Sequence, residues 1–230
     1  MVRRAGMASR QGFWDLLTPD ERRLLWSLGH SRKYPPGATM CVEGEPATHL
    51  FVLVGGLVKV FSVTENGHET VLALRGDGDI VGEAAGETAG RRNATMKAIG
   101  AVHALIVSYD AFTSFLDANL AASHAYRRVM AQRWTNADAI LRRRMVTSGA
   151  QRLAGLLLDL AGRHGNQAGS AVELALPLSQ EELASLAGTS LATVTRALSN
   201  WRKRGLIRTG QRRITLIDLP GLQRAAGHAA

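Results

Sequence analysis

The chain has 230 residues, 46% of them hydrophobic and 20% charged, and this composition excludes an intrinsically disordered protein. Its formal net charge of +9 predicts attraction to polyanions such as nucleic acid or an acidic membrane surface. Cys41 is the single cysteine, which excludes an intrachain disulfide and a cysteine-ligated iron–sulfur cluster or zinc knuckle held by one chain.

Neither of the two candidate targeting or membrane segments has the required pattern. The first stretch, "MVRRAGMASRQGFWDLL", is basic but lacks the continuous apolar run of a signal peptide. The most apolar stretch, "LFVLVGGLVKVF", is short and is interrupted by Gly55, Gly56 and Lys59. We therefore expect no export, no membrane span and a cytoplasmic location.

The segment from Ala38 to about Ser108 consists of short β-type runs separated by turn residues. These runs are "THLFVLVGG", "LVKVFSV", "TVLALRGDGD", "ATMKAIG" and "VHALIVS". Asn66 and Gly67 form an Asn-Gly pair, which is a strong signal for a β-hairpin. The pattern predicts a compact all-β barrel or roll that contains no helix of ordinary length.

After Tyr109 the pattern becomes helical, because apolar residues recur every three or four positions and proline is absent until Pro177. This predicts a short helix followed by a long one. The apolar stripe favours pairing with a second copy of the chain, and the alternative is that it packs only on the chain's own β domain. The stripe consists of Phe112, Leu116, Leu120, Met130, Trp134, Ala137, Leu141 and Met145.

The last third of the chain carries the signals of a helix-turn-helix. "SGAQRLAGLLLDLAGRHGNQAGS" predicts a helix that ends in a glycine-rich loop. Ser179 and Glu182 have the spacing of a capping box, Gly188 supplies a tight turn, and Ser190 can cap a second helix. The following "LIRTGQRRITLI" predicts two β-type arms around a polar turn, which is a wing. We predict that Trp201 belongs to the core.

Positive charge is densest in this same region. Residues 148–230 carry ten basic and five acidic residues, and the stretch from Arg196 to Arg213 holds seven basic residues and no acidic one. A solvated helix face usually mixes both signs, so this stretch favours contact with nucleic-acid phosphates. The run from Arg142 to Arg144 fits a solvated flank of a hinge better than a second contact surface.

Over nearly its whole length the chain resembles the Crp/Fnr family of regulators. The matching stretches, in the family's order, are "YPPGATMCVEGEPATHLFVLVGGLVKVF", "GDIVGEAAGETAGRRNATMKA" and "LSQEELASLAGTSLATVTRALSNWRKRGLI". The resemblance implies an α+β fold: N-terminal helices and a cyclic-nucleotide-binding-type β-roll over 1–108, a helix and a long dimer helix with a hinge over 109–147, and a winged helix-turn-helix over 148–230.

The resemblance also implies an effector site that takes a cyclic nucleotide. Glu83 and Arg92 occupy the positions that bind ribose and cyclic phosphate in the family, and Asn93 stands where serine is usual. The alternative is that Glu83 and Arg92 pair with each other and close the loop. On the long helix, Thr135 and Asn136 resemble the pair of residue types that reads adenine in the family. Counting back from Arg152, which resembles the family's arginine at the start of the next helix, instead places Ala137 and Asp138 at the adenine-reading positions. The predicted effector-binding set is Gly82, Glu83, Arg92, Asn93, Thr135, Asn136 and Asp138.

For DNA, the resemblance implies a homodimer that binds a palindromic site and contacts RNA polymerase. In well-known members Arg and Glu follow the serine of the recognition helix, whereas this chain has Leu191 and Ala192. Neither can make the same hydrogen bonds to guanine and cytosine, although Leu191 can rest on a thymine methyl. The predicted DNA-binding set is Ser179, Gln180, Thr189, Ser190, Leu191, Thr193, Thr195, Arg196, Arg202, Arg208, Arg212 and Arg213.

The sequence has no nucleophile elbow, metal-binding histidine pair, P-loop or paired acid–base motif, so we expect neither an enzyme nor a metal site. A cyclic nucleotide is the effector that the residues favour, and haem is possible only through His68, His103 or a methionine. Two other functions stay open at this point: a cyclic-nucleotide-binding regulatory subunit that acts on a protein partner, and an architectural DNA-binding protein of low specificity.

Overall fold

The computed structural model describes residues 11–64, 66–67, 69–87, 90–211 and 213–227. These residues divide into two compact units, one covering 11–137 and the other beginning at 138. The boundary falls inside the long helix. The three-part division predicted from the sequence, with borders at 108 and 147, stays a prediction.

The first unit begins with two short helices, α1 (Phe13–Leu16) and α2 (Pro19–Ser27). Helix α2 starts at a capping box, because Thr18 Oγ1 accepts a hydrogen bond from the Glu21 amide while the Glu21 carboxylate accepts one from the Thr18 amide. Phe13 and Leu25 are buried in a core cluster that also includes residues of the β-roll.

Two four-stranded antiparallel sheets form the β-roll, as the sequence predicts. One sheet has the order β1-β8-β3-β6 and the other has the order β2-β7-β4-β5. The four-residue α3 (Ala84–Glu87) is the one helix within the described part of the roll. The strands are β1 (His30–Tyr34), β2 (Thr39–Cys41), β3 (His49–Gly55), β4 (Val58–Val63), β5 (Glu69–Arg75), β6 (Ile80–Val81), β7 (Thr95–Ala98) and β8 (Val102–Ser108).

Successive side chains of β3 face two different core clusters, so both faces of this strand are buried. Phe51 and Leu53 from β3 lie in one core cluster with Val58 from β4 and Met96 from β7. Strands β4 and β5 pair antiparallel across the predicted Asn-Gly turn, which confirms that hairpin. The core thereby fixes the positions of the loops that follow β6 and precede β7.

A short helix and a long helix follow the roll: α4 (Tyr109–Ala118) and α5 (Leu120–Val146). The apolar stripe along them divides into two parts. Phe112 is buried and Met130 packs on the core of the roll, as the alternative of packing on the chain's own β domain requires. Farther along, Trp134 is 76% exposed and Met145 is 84% exposed, so this half of the stripe has no cover within the described chain.

The second unit contains the end of α5, four more helices and one antiparallel sheet of order β11-β12-β10-β9. Its elements are α6 (Gly149–His164), β9 (Asn166–Ala168), β10 (Ala171–Leu174), α7 (Gln180–Ala187), α8 (Leu191–Lys203), β11 (Ile207–Gly210), β12 (Arg213–Leu216) and α9 (Leu219–Ala225). Trp201 is buried, as predicted.

The prediction of a glycine-rich loop after α6 is wrong, because this segment forms the hairpin β9–β10. Strand β10 pairs with β12, so the wing is part of a four-stranded sheet and not an isolated hairpin. The segment carries a weak strand pattern of its own, and the partner strand lies about forty residues later in the chain. Helix α9, which the sequence did not predict, packs against α6.

Among the described residues, no helix combines the length and the apolar character needed to cross a membrane.

Candidate functional site

The predicted effector loop connects β6 to β7, and its described residues Gly82 and Arg92 lie close together. Gly82 has a positive φ of 82°. A Cβ on Gly82 would stand 2.5 Å from Arg92 Nη1, so a larger residue cannot occupy this position without moving the guanidinium. The structure therefore brings together Gly82 and Arg92 of the predicted set.

Arg92 is only 3% exposed, and its guanidinium contacts neutral groups among the described residues. Nη1 donates to the Gly82 carbonyl at 3.4 Å and to the Tyr109 hydroxyl at 3.4 Å. The guanidinium also lies over the Phe51 ring, 5.3 Å from its centroid. Burying a charge is costly unless an opposite charge accompanies it. Among the side chains that the structure describes, no carboxylate forms an ion pair with Arg92. A buried guanidinium in these surroundings can hold an anion.

Three of the titratable groups near Arg92 have pKa values shifted in favour of their neutral forms. Burial raises the pKa of the Tyr109 hydroxyl and of the Cys41 thiol, and the Arg92 charge opposes both rises only in part. Burial lowers the pKa of His49, and the charges of Arg92 and His30 lower it further. The Tyr109 hydroxyl, the Cys41 thiol and the His49 imidazole are therefore all neutral at neutral pH.

Tyr109 is a site residue that the sequence reasoning missed. Its hydroxyl donates to the Gly82 carbonyl at 2.7 Å and lies within 3.4 Å of Arg92 Nη1. Tyr109 begins α4, 27 residues after Gly82, and no local motif links the two positions. The sequence offers one signal for a role of Tyr109, which is the position of its hydroxyl-bearing side chain directly after Ser108, the cap of α4.

Glu83 pairs with Arg133 of α5 and not with Arg92, which makes the predicted alternative of a Glu83–Arg92 pair wrong. Arg133 Nη1 lies 2.5 Å from Glu83 Oε1. Arg133 Nη2 donates to the Ile80 carbonyl at 2.6 Å and lies 3.4 Å from Asp79 Oδ1. The long helix is thereby tied to the effector loop within one chain. The sequence did not predict this role of Arg133, because no local motif links two residues that lie 50 positions apart.

The remaining predicted effector residues do not reach this cluster through their own hydrogen bonds. Asn93 is exposed, directly after Arg92. Thr135 donates to the Ala131 carbonyl, and the Asn136 side chain accepts from Gln132, so both bonds run along α5. Asp138 is exposed on α5 and belongs to the second unit. The predicted roles of these four residues in effector binding stay predictions.

The helix-turn-helix has the caps that the sequence predicts. Ser179 and Glu182 form a reciprocal capping box at the start of α7. Gly188 ends that helix with a φ of 60°, in the left-handed region that glycine tolerates. Ser190 Oγ accepts from the Thr193 amide and begins α8. The prediction of two short helices around a glycine turn is confirmed.

Most of the predicted DNA-binding side chains of α7 and α8 lie on the surface of the second unit. Leu191 is 43% exposed. Thr195 Oγ1 donates to Gln180 Oε1 at 2.7 Å, so one predicted contact residue orients another. Arg196 is exposed, and its Nε donates to the Ala192 carbonyl one turn earlier. Ser179, Gln180, Ser190, Leu191, Thr195 and Arg196 are exposed, and Thr189 and Thr193 are half-buried.

Three of the four predicted phosphate-binding arginines are described, and all three are exposed. Arg202 on α8 contacts Thr209 of β11 at 3.5 Å, and Arg208 lies on the same strand. Arg213 begins β12 and lies 3.6 Å from Glu173 of β10. Arg212 lies outside the described residues. The sequence from Arg196 to Arg213 contains no acidic residue, but the pairing of β10 with β12 places Glu173 beside Arg213.

Comparison with known families and proteins agrees with this division into two sites. Residues 31–119 match the cyclic nucleotide-binding domain family, and residues 151–225 match the Crp-like helix-turn-helix domain family. The chain is 33% identical to the CRP-like cAMP-activated global transcriptional regulator of Mycobacterium tuberculosis over 218 residues, which is 95% of this chain and 97% of that protein.

Further relatives match at lower identity. The cyclic AMP receptor protein of Thermus thermophilus is 29% identical over 84% of this chain and 87% of its own length. A solved structure of a CRP-family transcriptional regulator from Thermus thermophilus has a TM-score of 0.74 and 27% identity, and the match covers 86% of this chain and 97% of that one.

Proposed function

Because the chain belongs to the Crp/Fnr family of transcription regulators, we propose that a cyclic nucleotide bound at Arg92 controls how this regulator binds DNA. The protein is a DNA-binding transcription regulator, and its relatives are regulators and not enzymes. The observation that carries the proposal is the buried Arg92 guanidinium, whose contacts within the described part of the chain are with neutral groups.

The chemistry of the pocket suits a cyclic phosphate. Arg92 offers a planar fork of donors for phosphate oxygens, and Gly82, which lacks a Cβ, would let a ligand approach the backbone. A carboxylate has two oxygens, so Glu83 can hold Arg133 through Oε1 and accept a ribose hydroxyl through Oε2. Asn93, Thr135, Asn136 and Asp138 would select the base, the last three from the long helix of a second copy. Relatives named as cAMP-activated make adenosine 3′,5′-cyclic monophosphate the first ligand to test.

The regulator acts as a homodimer in this proposal. The exposed half of the α5 stripe, from Trp134 to Met145, gives two copies an apolar seam, and members of the family act as dimers. Two α8 helices related by a dyad would then enter the major groove at half-sites about one helical turn apart, in a palindromic site. The exposed side chains of α8 would read bases, and Arg202, Arg208, Arg212 and Arg213 would hold phosphates. The dimer would work in the cytoplasm and contact RNA polymerase.

Calorimetric titration of the purified chain with a panel of cyclic mono- and dinucleotides tests the proposed effector. We expect heat and a rise in melting temperature with at least one of them. Arg92→Met keeps the packing on Phe51 but removes the charge, and it should weaken that ligand at least about tenfold, because a hydrogen bond to a charged group contributes about 1.5–3 kcal/mol.

Arg91→Met is the matched control, because Arg91 is the exposed neighbour and donates to the Gly44 carbonyl. Its ligand affinity should equal that of the wild type. No heat and no melting shift with any cyclic nucleotide would overturn the proposal, as would equal loss of affinity in the two variants.

A further inference from the structure

The two residues that join α5 to α6, Thr147 and Ser148 (the hinge), lie next to the turn between α7 and α8. One side chain, Arg152, connects the two segments. Its Nε donates to the Ala187 carbonyl at 2.9 Å, its Nη2 donates to the Gly188 carbonyl at 2.7 Å, and its Nη1 donates to the Thr147 carbonyl. A single guanidinium thus holds two carbonyls of the turn and one of the hinge.

These bonds suit an arginine in particular. The last carbonyls of α7 carry the partial negative charge of a helix C-terminus, which attracts a cation. The planar guanidinium presents donors in several fixed directions, so it can bind three carbonyls at once. The ammonium of a lysine has the same charge but lacks this fork, so it cannot hold the same three acceptors in place.

A second contact joins the start of α6 to the start of α8. Gly149 is the first residue of α6. A Cβ on Gly149 would overlap Thr189 Oγ1, would stand 2.9 Å from Thr189 Cβ and would stand 3.2 Å from Thr193 Cγ2. Thr189 precedes the Ser190 cap, and Thr193 lies in the first turn of α8. Only glycine allows the backbone after the hinge to approach the recognition helix this closely.

A third contact comes from the last turn of α5. The Arg144 guanidinium lies over the turn, with Nε 2.6 Å from the position that a Cβ on Gly188 would take. The prediction that Arg142 to Arg144 is only a solvated flank therefore does not account for Arg144. The end of α5, the hinge and the first turn of α6 all touch the same turn.

We propose that Arg152 and Gly149 are positioning residues for DNA recognition: together they fix the angle of α8 on the hinge, so that the hinge and the recognition helix move as one body. The apolar core of this unit includes Leu153, Leu157 and Trp201, and it is separate from these polar and backbone contacts. Loss of the contacts should therefore change the orientation of α8 more than it changes folding. This inference depends on the proposed reading of bases by α8.

The test uses the full chain with Gly149→Ala and, as its matched control, Gly155→Ala. Both glycines lie in α6, but a Cβ on Gly155 would meet nothing within 4 Å. The measurement is fluorescence anisotropy with a duplex that the wild type selects from a random library and with a random-sequence duplex, across several salt concentrations and with adenosine 3′,5′-cyclic monophosphate in every reaction. Melting temperature is recorded for each variant.

For Gly149→Ala we expect the ratio of the affinity for the selected duplex to the affinity for the random duplex to fall at least about tenfold, which corresponds to 1.4 kcal/mol. Affinity for random duplex, its salt dependence and the cooperative melting should stay close to the wild type. Gly155→Ala should match the wild type in every measurement. Arg152→Lys keeps the charge but not the fork, so it should lower the same ratio.

If Gly149→Ala does not melt cooperatively, that variant is not properly folded, and the ratio measured for Arg152→Lys tests the proposal instead. The proposal is overturned if the folded variants keep the wild-type ratio, if selected and random affinities fall together, or if Gly155→Ala loses the ratio equally. Arg196→Ala shows whether such a result contradicts only the positioning role or also the proposed reading of bases by α8. If Arg196→Ala lowers the ratio and the positioning variants do not, only the positioning role is wrong; if Arg196→Ala keeps it, the reading of bases by α8 is wrong.

Discussion

Leu191 and Ala192 open the recognition helix with apolar side chains at exposed positions. The Ser190 cap and the Arg196 side chain one turn later keep polar groups on the same helix. An apolar first turn can contact a thymine methyl but cannot donate to or accept from base edges. Base selection at this end of α8 should therefore be weaker than in an Arg-Glu reader.

We expect the double variant Leu191→Arg with Ala192→Glu to acquire a guanine or cytosine preference at the two positions that the parent reads weakly. A bidentate pair of hydrogen bonds to a base edge adds about 1–3 kcal/mol of discrimination. Site selection from a random duplex library, carried out in parallel with both proteins, measures the change. A parent that already selects a guanine-containing half-site as sharply as an Arg-Glu reader would contradict this placement of the two residues.

At the scale of elements, the wing has an acidic neighbour that its own sequence lacks. Strand β12 pairs with β10, and this pairing puts Glu173 3.6 Å from Arg213. Both side chains are partly exposed, so the ion pair itself contributes little to folding. Its effect is on charge, because Glu173 offsets part of the positive potential of the wing.

Glu173→Gln should therefore strengthen binding to duplexes of every sequence and steepen the salt dependence by up to about one phosphate contact. Affinity for a random duplex at several salt concentrations measures both effects. Asp159→Asn is the control, since Asp159 pairs with Arg163 on α6 and belongs to no strand of the wing sheet. Equal effects of the two substitutions would assign the change to overall net charge and not to the wing.

For the whole molecule, the exposed stripe of α5 is the feature that a single copy leaves uncovered. Trp134, Leu141 and Met145 recur at helical spacing and are all strongly exposed. Large apolar side chains at such positions are typical of a seam between two helices. A dimer would also present two recognition helices to a palindromic site. Neither a regulatory subunit that acts on a protein partner nor an architectural protein of low specificity requires this arrangement.

Leu141→Glu combined with Met145→Glu should dissociate the proposed dimer. Burial of each such side chain contributes about 1.5–3 kcal/mol, so the dimer dissociation constant should rise at least about 100-fold. Sedimentation velocity over a concentration series measures it. Ile140→Glu is the control, because Ile140 is also exposed but lies about 100° around the helix axis from Leu141. Dimers that survive the double substitution would place the interface elsewhere.

The sequence by itself determined the parts of this protein that depend on neighbouring residues. The capping box at Ser179, the glycine turn at Gly188 and the Asn-Gly hairpin at Gly67 are each set by groups within a few positions of one another. Short runs of β-type residues separated by turn residues likewise predict the strands of the roll. The order of the elements, and with it the resemblance to a family, follows from such local signals.

Only the tertiary structure decided which distant side chains share a site. Arg133 and Glu83 are 50 residues apart, Tyr109 and Gly82 are 27 apart, and Arg152 holds a turn 35 residues later. A local sequence pattern cannot predict such a pairing, because the pairing depends on how whole elements pack and on which buried charges need partners. The same reason explains why a segment predicted as a loop becomes the hairpin β9–β10, whose partner strand comes much later in the chain.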